Sequence, residues 1–271
     1  MPEAKEPHFF STDDGKPPLI AATDKAAIGE IIWNFNNYVG LFDDAREDQL
    51  LGEASTGYLT NSDKTIKNIK KHVPSWQHLR IIIMLRNPIE RAFSHYSMMK
   101  LIGLENLEFD EALSKEGERR KNNCPWSGYI QGGRYYENVK AYLNIFPHTK
   151  IILFEDLKEN ALGLVKDLYV FLGIESSFLP NVGEKHNPSG EPRSTFLHRL
   201  FMTPNIISSK IPLVKLIPLE IRGNIVKKLK LKNLKKSEMK EETRQFLKNL
   251  YSEDILKLQD LVGRDLSAWL E

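Results

Sequence analysis

Two stretches of this chain carry side chains that could do chemistry. Near the N-terminus, Glu6 and His8 lie two residues apart, which in an extended chain puts both on one side. A carboxylate beside an imidazole can take a proton from a hydroxyl. The plain alternative is a solvated terminal carboxylate and a histidine bonded to nearby backbone. The second stretch reads Arg80-Ile-Ile-Ile-Met-Leu-Arg86-Asn87-Pro88-Ile89-Glu90-Arg91-Ala-Phe-Ser94-His95-Tyr96. Arg86 ends an apolar run, and Ser94 follows about two helical turns later. A cation and a hydroxyl converging on one anionic group, such as a phosphate, is a common use of these residue types. The alternative is a plain βα unit whose Arg86 pairs with a surface carboxylate.

Both stretches need elements to position them. The short β-branched run Ile81–Leu85 predicts a strand buried on both faces of a parallel sheet. Asn87-Pro88 stops it, and Ile89, Ala92, Phe93 and Tyr96 recur at helical spacing. Arg86 is thereby expected at the carboxyl end of a strand, where open α/β sheets bind ligands. Lys150–Phe154 predicts a second buried strand. Glu155-Asp156-Leu157 then opens a helix with Leu164, Leu168, Phe171 and Leu172 inward, stopped by Gly173. An amphipathic helix is expected over Asp24–Tyr38, with Trp33 and Tyr38 packing rather than lining a cleft. A helix capped by Ser62 or Asp63 runs to His72 with Ile66, Ile69 and Val73 inward. The stripe Tyr135, Val139, Tyr142, Leu143 and Phe146 predicts a helix ending before Pro147. Residues 109–123 read as an exposed charged insertion, and 238–251 and 254–261 as two closing helices.

Composition sets the bounds. A chain of 271 residues makes one large α/β domain or two small ones. The net charge of +2 is mildly compatible with an anionic cosubstrate. Cys124 is the only cysteine, so no intrachain disulfide forms, which fits a reducing, cytoplasmic setting. No apolar run reaches membrane-spanning length, and the N-terminus does not read as a signal peptide. No metal-ligand cluster stands out, and neither G-x-x-x-x-G-K-[ST] nor G-x-G-x-x-G occurs. The lysines at 227, 228, 230, 232, 235 and 236 read as a solvated face rather than an acidic-glycan, membrane or nucleic-acid site.

Residues 85–96 closely resemble the 3'-phosphate-binding signature of the sulfotransferases that use 3'-phosphoadenosine-5'-phosphosulfate (PAPS). The resemblance implies a P-loop-like three-layer α/β domain, a central parallel sheet flanked by helices, spanning 1–271. It implies transfer of a sulfuryl group from PAPS to an acceptor hydroxyl by in-line displacement, with no metal. Arg86 and Ser94 would hold the 3'-phosphate. Lys5-Glu6-Pro7-His8-Phe9-Phe10 is similar to a segment of the heparan-type, carbohydrate-directed members, which makes Glu6 the catalytic base and His8 its helper. In that family a strand and a Gly-rich, Lys-containing loop precede the segment. None stands before Met1, so the chain is expected to be N-terminally truncated, lacking the first strand and the phosphate loop. Gly52–Leu59 resembles a short strand leading into a turn near the sulfuryl group, with Ala54 where some members have lysine; Ser55 and Thr56 could donate hydrogen bonds there.

By the same resemblance Arg134 and Tyr135 approach the nucleotide or the acceptor, and they are expected as contacts of the nucleotide. Ser189, Gly190 and Arg193 belong to a loop that folds over its 3'-phosphate and adenine. The acceptor is a glycan, lipid or small-molecule hydroxyl. Two alternatives stand beside this reading: a non-catalytic sulfotransferase-like binding module, and a P-loop-type kinase, which would require a Walker loop and a magnesium carboxylate.

Overall fold

In the computed structural model of the chain, residues 4–12, 31–122, 127–175, 177–182, 191–192, 234–235 and 238–271 are described. In chain order the elements are α1 (Phe35–Gly40), α2 (Gly57–Thr60), α3 (Ser62–His72), β1 (Ile81–Leu85), α4 (Pro88–Leu101), α5 (Phe109–Lys121), α6 (Tyr136–Ile145), β2 (Thr149–Leu153), α7 (Phe154–Leu172), β3 (Glu191–Pro192), β4 (Leu234–Lys235) and α8 (Glu241–Val262). They fall into two compact units. One comprises Met1–Ile89, Ile130–Pro180 and Phe246–Glu271; the other comprises Glu90–Tyr129 and Asn181–Gln245.

The first unit is built on β1 and β2, which pair in parallel from Ile81 opposite Thr149 to Leu85 opposite Leu153. Parallel neighbours need a long crossover, and the helical stretch between them supplies it. Asn87 ends the strand and starts the next helix: its Oδ1 accepts the Ile89 N–H at 3.0 Å, and Pro88 takes the first helical position, where no N–H is needed. The core is drawn from Ile83, Leu85, Val139, Tyr142, Phe146 and the α8 residues Leu247, Tyr251, Ile255 and Leu258. Gly133 has to be glycine, because a Cβ there would lie 2.7 Å from the Tyr251 hydroxyl and 2.9 Å from Pro88 Cβ.

Several expectations need correction. β1 is covered on one face only: Ile83 and Leu85 are buried, whereas Ile82 and Met84 are 39% and 46% exposed. An unbroken apolar run signals that both faces tolerate burial; what covers each face is decided by elements elsewhere in the chain. The inward residues of α7 are half-buried rather than buried, although Gly173 stops that helix as expected, at φ 67°. Of the helix expected over Asp24–Tyr38, residues 24–30 lie outside the described residues. Among the described ones a helix runs from Phe35 past Tyr38 to Gly40, where Asn34 Oδ1 accepts the Asn36 and Asn37 N–H groups, and Ile32 N–H before it is bonded to the Pro7 carbonyl. Asn61, not Ser62 or Asp63, precedes the first helical residue of α3. No strand forms at 52–55, where the chain is irregular before α2. The two closing helices are one, α8, whose Asp254 accepts the backbone N–H groups of Tyr135 and Tyr136.

The second unit packs Ala92, Tyr96 and Met99 of α4 against Phe109, Ala112 and Leu113 of α5, with Tyr129 buried among them. The rings of Tyr96 and Phe109 lie 4.9 Å apart. Residues 109–121 are therefore an amphipathic helix rather than an exposed insertion. β3 and β4 form a two-residue antiparallel ladder.

Candidate active site

Glu6 and His8 come together as their spacing suggests, but not in an extended chain. Both sit at φ 55°, and among the described residues they are the only non-glycines with positive φ. Such a backbone costs about 1–3 kcal/mol per residue and persists only where neighbours over-determine it. The constraint at Glu6 is doubled, because the following Pro7 restricts the residue before it. The fold bends Glu6-Pro7-His8 so that Glu6 Oε2 lies 3.4 Å from His8 Nε2. Thr56 Oγ1 donates to the same oxygen at 3.0 Å. The hydrogen bond from His8 holds the Glu6 carboxyl below its ordinary value; burial pushes the other way, and the Thr56 hydroxyl adds to the lowering. Glu6 thus stays an ionised acceptor and keeps one face toward solvent, with its side chain 34% exposed.

The mould that holds this bend comes from residues 53–58. Ser55 Oγ accepts the His8 N–H at 3.0 Å. Gly57 gives the imidazole room, since a Cβ there would stand 3.0 Å from His8 Nδ1. Tyr58 accepts the Phe10 N–H at 3.4 Å. Asn68 donates to the carbonyls of Phe10 and Thr12, and Phe9 stacks on Tyr38 at 4.7 Å. Ser55 and Thr56 therefore act on the Glu6–His8 segment rather than merely closing their own turn.

Behind them sits a residue that sequence reasoning missed. Glu53 accepts hydrogen bonds from Tyr58 at 2.6 Å, Ser55 at 3.2 Å and Tyr38 at 3.4 Å. Burial pushes its carboxyl up, outweighing the three hydroxyls. The signal was available: Glu53 and Ser55 repeat the two-residue spacing of Glu6 and His8. Tyr38, expected to pack, does so, and its hydroxyl serves this cluster as well.

Arg86 follows β1, with its guanidinium 5.1 Å from the Phe154 ring centre. Tyr135 is buried and donates its hydroxyl to the Arg86 carbonyl at 3.0 Å, so it braces the strand tip. Arg134 is exposed. Ser94 is on α4, in the second unit. Ser189, Gly190 and Arg193 lie outside the described residues, as do Lys227, Lys228, Lys230, Lys232 and Lys236.

The family model described as a sulfotransferase domain matches residues 55–198, just over half the chain. The chain belongs to the sulfotransferase family. The match takes in Ser55, Thr56 and the whole Arg86–Ser94 motif, and Glu6 and His8 precede it. Among solved structures, the sulfotransferase from Alicyclobacillus acidocaldarius is similar, with 28% sequence identity and a TM-score of 0.72 over 100% of this chain and 87% of that one. No curated protein matches this sequence. The fold of this sulfotransferase is accordingly of the P-loop-like α/β class, and the family's chemistry is sulfuryl transfer to a hydroxyl-bearing acceptor. Among the described residues no helix is long and apolar enough to cross a membrane.

Proposed function

We propose that this sulfotransferase moves the sulfuryl group of PAPS to the hydroxyl of a carbohydrate or small-molecule acceptor, with Glu6 as the base. The observation that carries this reading is the Glu6 carboxylate. It is kept ionised by His8 and Thr56, held in a strained backbone, and left partly open to solvent. A base must be deprotonated before it can accept the acceptor's proton, and it must be within reach of the ligand. His8 orients Glu6 and shares its charge. In an in-line displacement the acceptor oxygen attacks sulfur as the S–O bond to the 5'-phosphate breaks. The acceptor proton passes to Glu6, and 3'-phosphoadenosine-5'-phosphate leaves.

The nucleotide's 3'-phosphate is assigned to Arg86 and Ser94 on the strength of their motif. Arg134, Tyr135, Ser189, Gly190 and Arg193 follow as nucleotide contacts by resemblance. For Tyr135 the buried hydroxyl on the Arg86 carbonyl supports an indirect part, holding the segment that presents the guanidinium. The chemistry calls for no metal, and a cytoplasmic setting suits a sequence with a single cysteine and the cosubstrate.

The test is calorimetric titration with 3'-phosphoadenosine-5'-phosphate, together with sulfuryl transfer from radiolabelled PAPS to a panel of hydroxyl acceptors. Micromolar nucleotide binding, lost in Arg86→Ala, and transfer lost in Glu6→Gln with nucleotide binding intact, are the expected results. A folded Arg86→Ala variant that binds the nucleotide as well as the parent chain would sink the 3'-phosphate assignment.

A further inference from the structure

Glu53 is half-buried, and its bonds converge on hydroxyls that hold the segment carrying the base. A hydroxyl has one proton to give and lone pairs with which to accept. Ser55 gives its proton to Glu53 Oε2 and accepts the His8 N–H. Tyr58 does the same one step along, giving its proton to Glu53 Oε1 and accepting the Phe10 N–H. One carboxyl thus orients two hydroxyls, and each hydroxyl grips one backbone N–H of the turn. Without an acceptor at Glu53, either hydroxyl is free to rotate and offer its proton elsewhere, so its lone pair no longer faces the amide. Nothing else described grips these two amides: Thr56 holds the Glu6 side chain, and Asn68 holds carbonyls.

We propose that Glu53 is the positioning residue of the acceptor base, holding Glu6-Pro7-His8 in its strained bend through Ser55 and Tyr58. The role rests on the reading of Glu6 as base, and it makes Glu53 matter to the rate while it never touches substrate. It also gives the two hydroxyls separable duties: Ser55 governs the His8 amide and Tyr58 the Phe10 amide.

Amide hydrogen exchange of the full chain, followed residue by residue by NMR, tests this directly. Glu53→Ala is expected to speed exchange at both His8 and Phe10 at least tenfold and to leave the paired amides of β1 and β2 unchanged. Ser55→Ala should speed His8 alone, and Tyr58→Phe should speed Phe10 alone. Adding Ser55→Ala to Glu53→Ala should speed His8 no further, because both changes cut one path. Unchanged exchange at His8 and Phe10 in Glu53→Ala would overturn the proposal. A rise there matched by an equal rise in the strand amides would also overturn it, since that is general loosening.

With PAPS and an acceptor turned over by the parent chain, Glu53→Ala should lower kcat and leave affinity for 3'-phosphoadenosine-5'-phosphate alone. If Glu6→Gln keeps full transfer, the base reading fails, and the exchange pattern still decides separately what Glu53 holds.

Discussion

Glu53 in the first unit and Glu105 in the second are both drawn away from solvent, and the two are treated in opposite ways. In the second unit, Glu105 is 2% exposed. Arg119 meets it with two nitrogens, at 2.5 and 3.1 Å. Tyr129 donates at 2.9 Å, and the Asn106 and Leu107 N–H groups at 3.0 Å each. Burial works against the charge, but the Arg119 contact, the Leu107 amide and the tyrosine outweigh it, and the carboxyl falls below its ordinary value. In the first unit, Glu53 also has a tyrosine at close range, but its other donors are hydroxyls, and among the described residues no cation pairs with it. There burial wins, and the carboxyl rises. The same side chain is a fastener where a guanidinium and backbone amides neutralise it, and an adjustable acceptor where only hydroxyls meet it.

The largest effect that tests this contrast is truncation. Glu105→Ala removes the buried acceptor shared by the Arg119 guanidinium, the Tyr129 hydroxyl and two backbone N–H groups, and breaking a buried ion pair by removing one member costs about 3–5 kcal/mol. Glu53→Ala strands only hydroxyls and should cost about 1–3 kcal/mol. Urea unfolding of both variants measures the difference, and equal losses would break the contrast.

Gly57→Ala leaves both carboxyls in place and presses on what Glu53 supports. Alanine at this helical position gains up to about 1 kcal/mol in propensity, set against a Cβ 3.0 Å from His8 Nδ1 and 3.3 Å from Ser11 Oγ. Overall stability should therefore move by less than about 1 kcal/mol, since the two terms oppose each other. The His8 ring resonances should shift and sulfuryl transfer should fall. Unmoved His8 resonances would show that the mould has slack.

The smallest effect is in pH dependence, and its sign differs between the units. Glu53 titrates higher in the folded than in the unfolded chain. Its contribution to stability is therefore present below the ordinary glutamate value and is lost as pH rises through the folded value. Glu105 titrates lower when folded, so its contribution is present above the ordinary value and is lost as pH falls through the folded one. Relative to Glu53→Gln, the parent chain should gain stability on acidification from neutral pH. Relative to Glu105→Gln it should lose stability below the ordinary glutamate range. Unfolding curves across pH 3–8 would show two slopes of opposite sign, and slopes of one sign would remove the distinction.

Local pattern made much of this protein legible before any coordinates. The strand-tip motif and the helix starting at Pro88 depend on neighbours in the chain: Asn87 caps, Pro88 starts, and apolar residues recur at helical spacing. The stop at Gly173 and the buried stripe of α6 are equally local. The Glu6–His8 pair was visible as a spacing, and the family motif supplied its chemistry.

Other features were settled only by residues far apart in sequence. Whether β1 is covered on both faces depends on what packs there, and a strand cannot announce that. The continuity of α8 through Ser252-Glu253-Asp254 depends on Asp254 finding the amides of Tyr135 and Tyr136. The left-handed backbone of Glu6 and His8 is tolerable only because Ser55, Thr56 and Gly57, some fifty residues away, are shaped to hold it. Sequence thus determined which groups are available and which short elements carry them. Tertiary structure decided which carboxyl is held ionised and which is pushed up, because desolvation and partner charge are properties of the packed surroundings rather than of the residue.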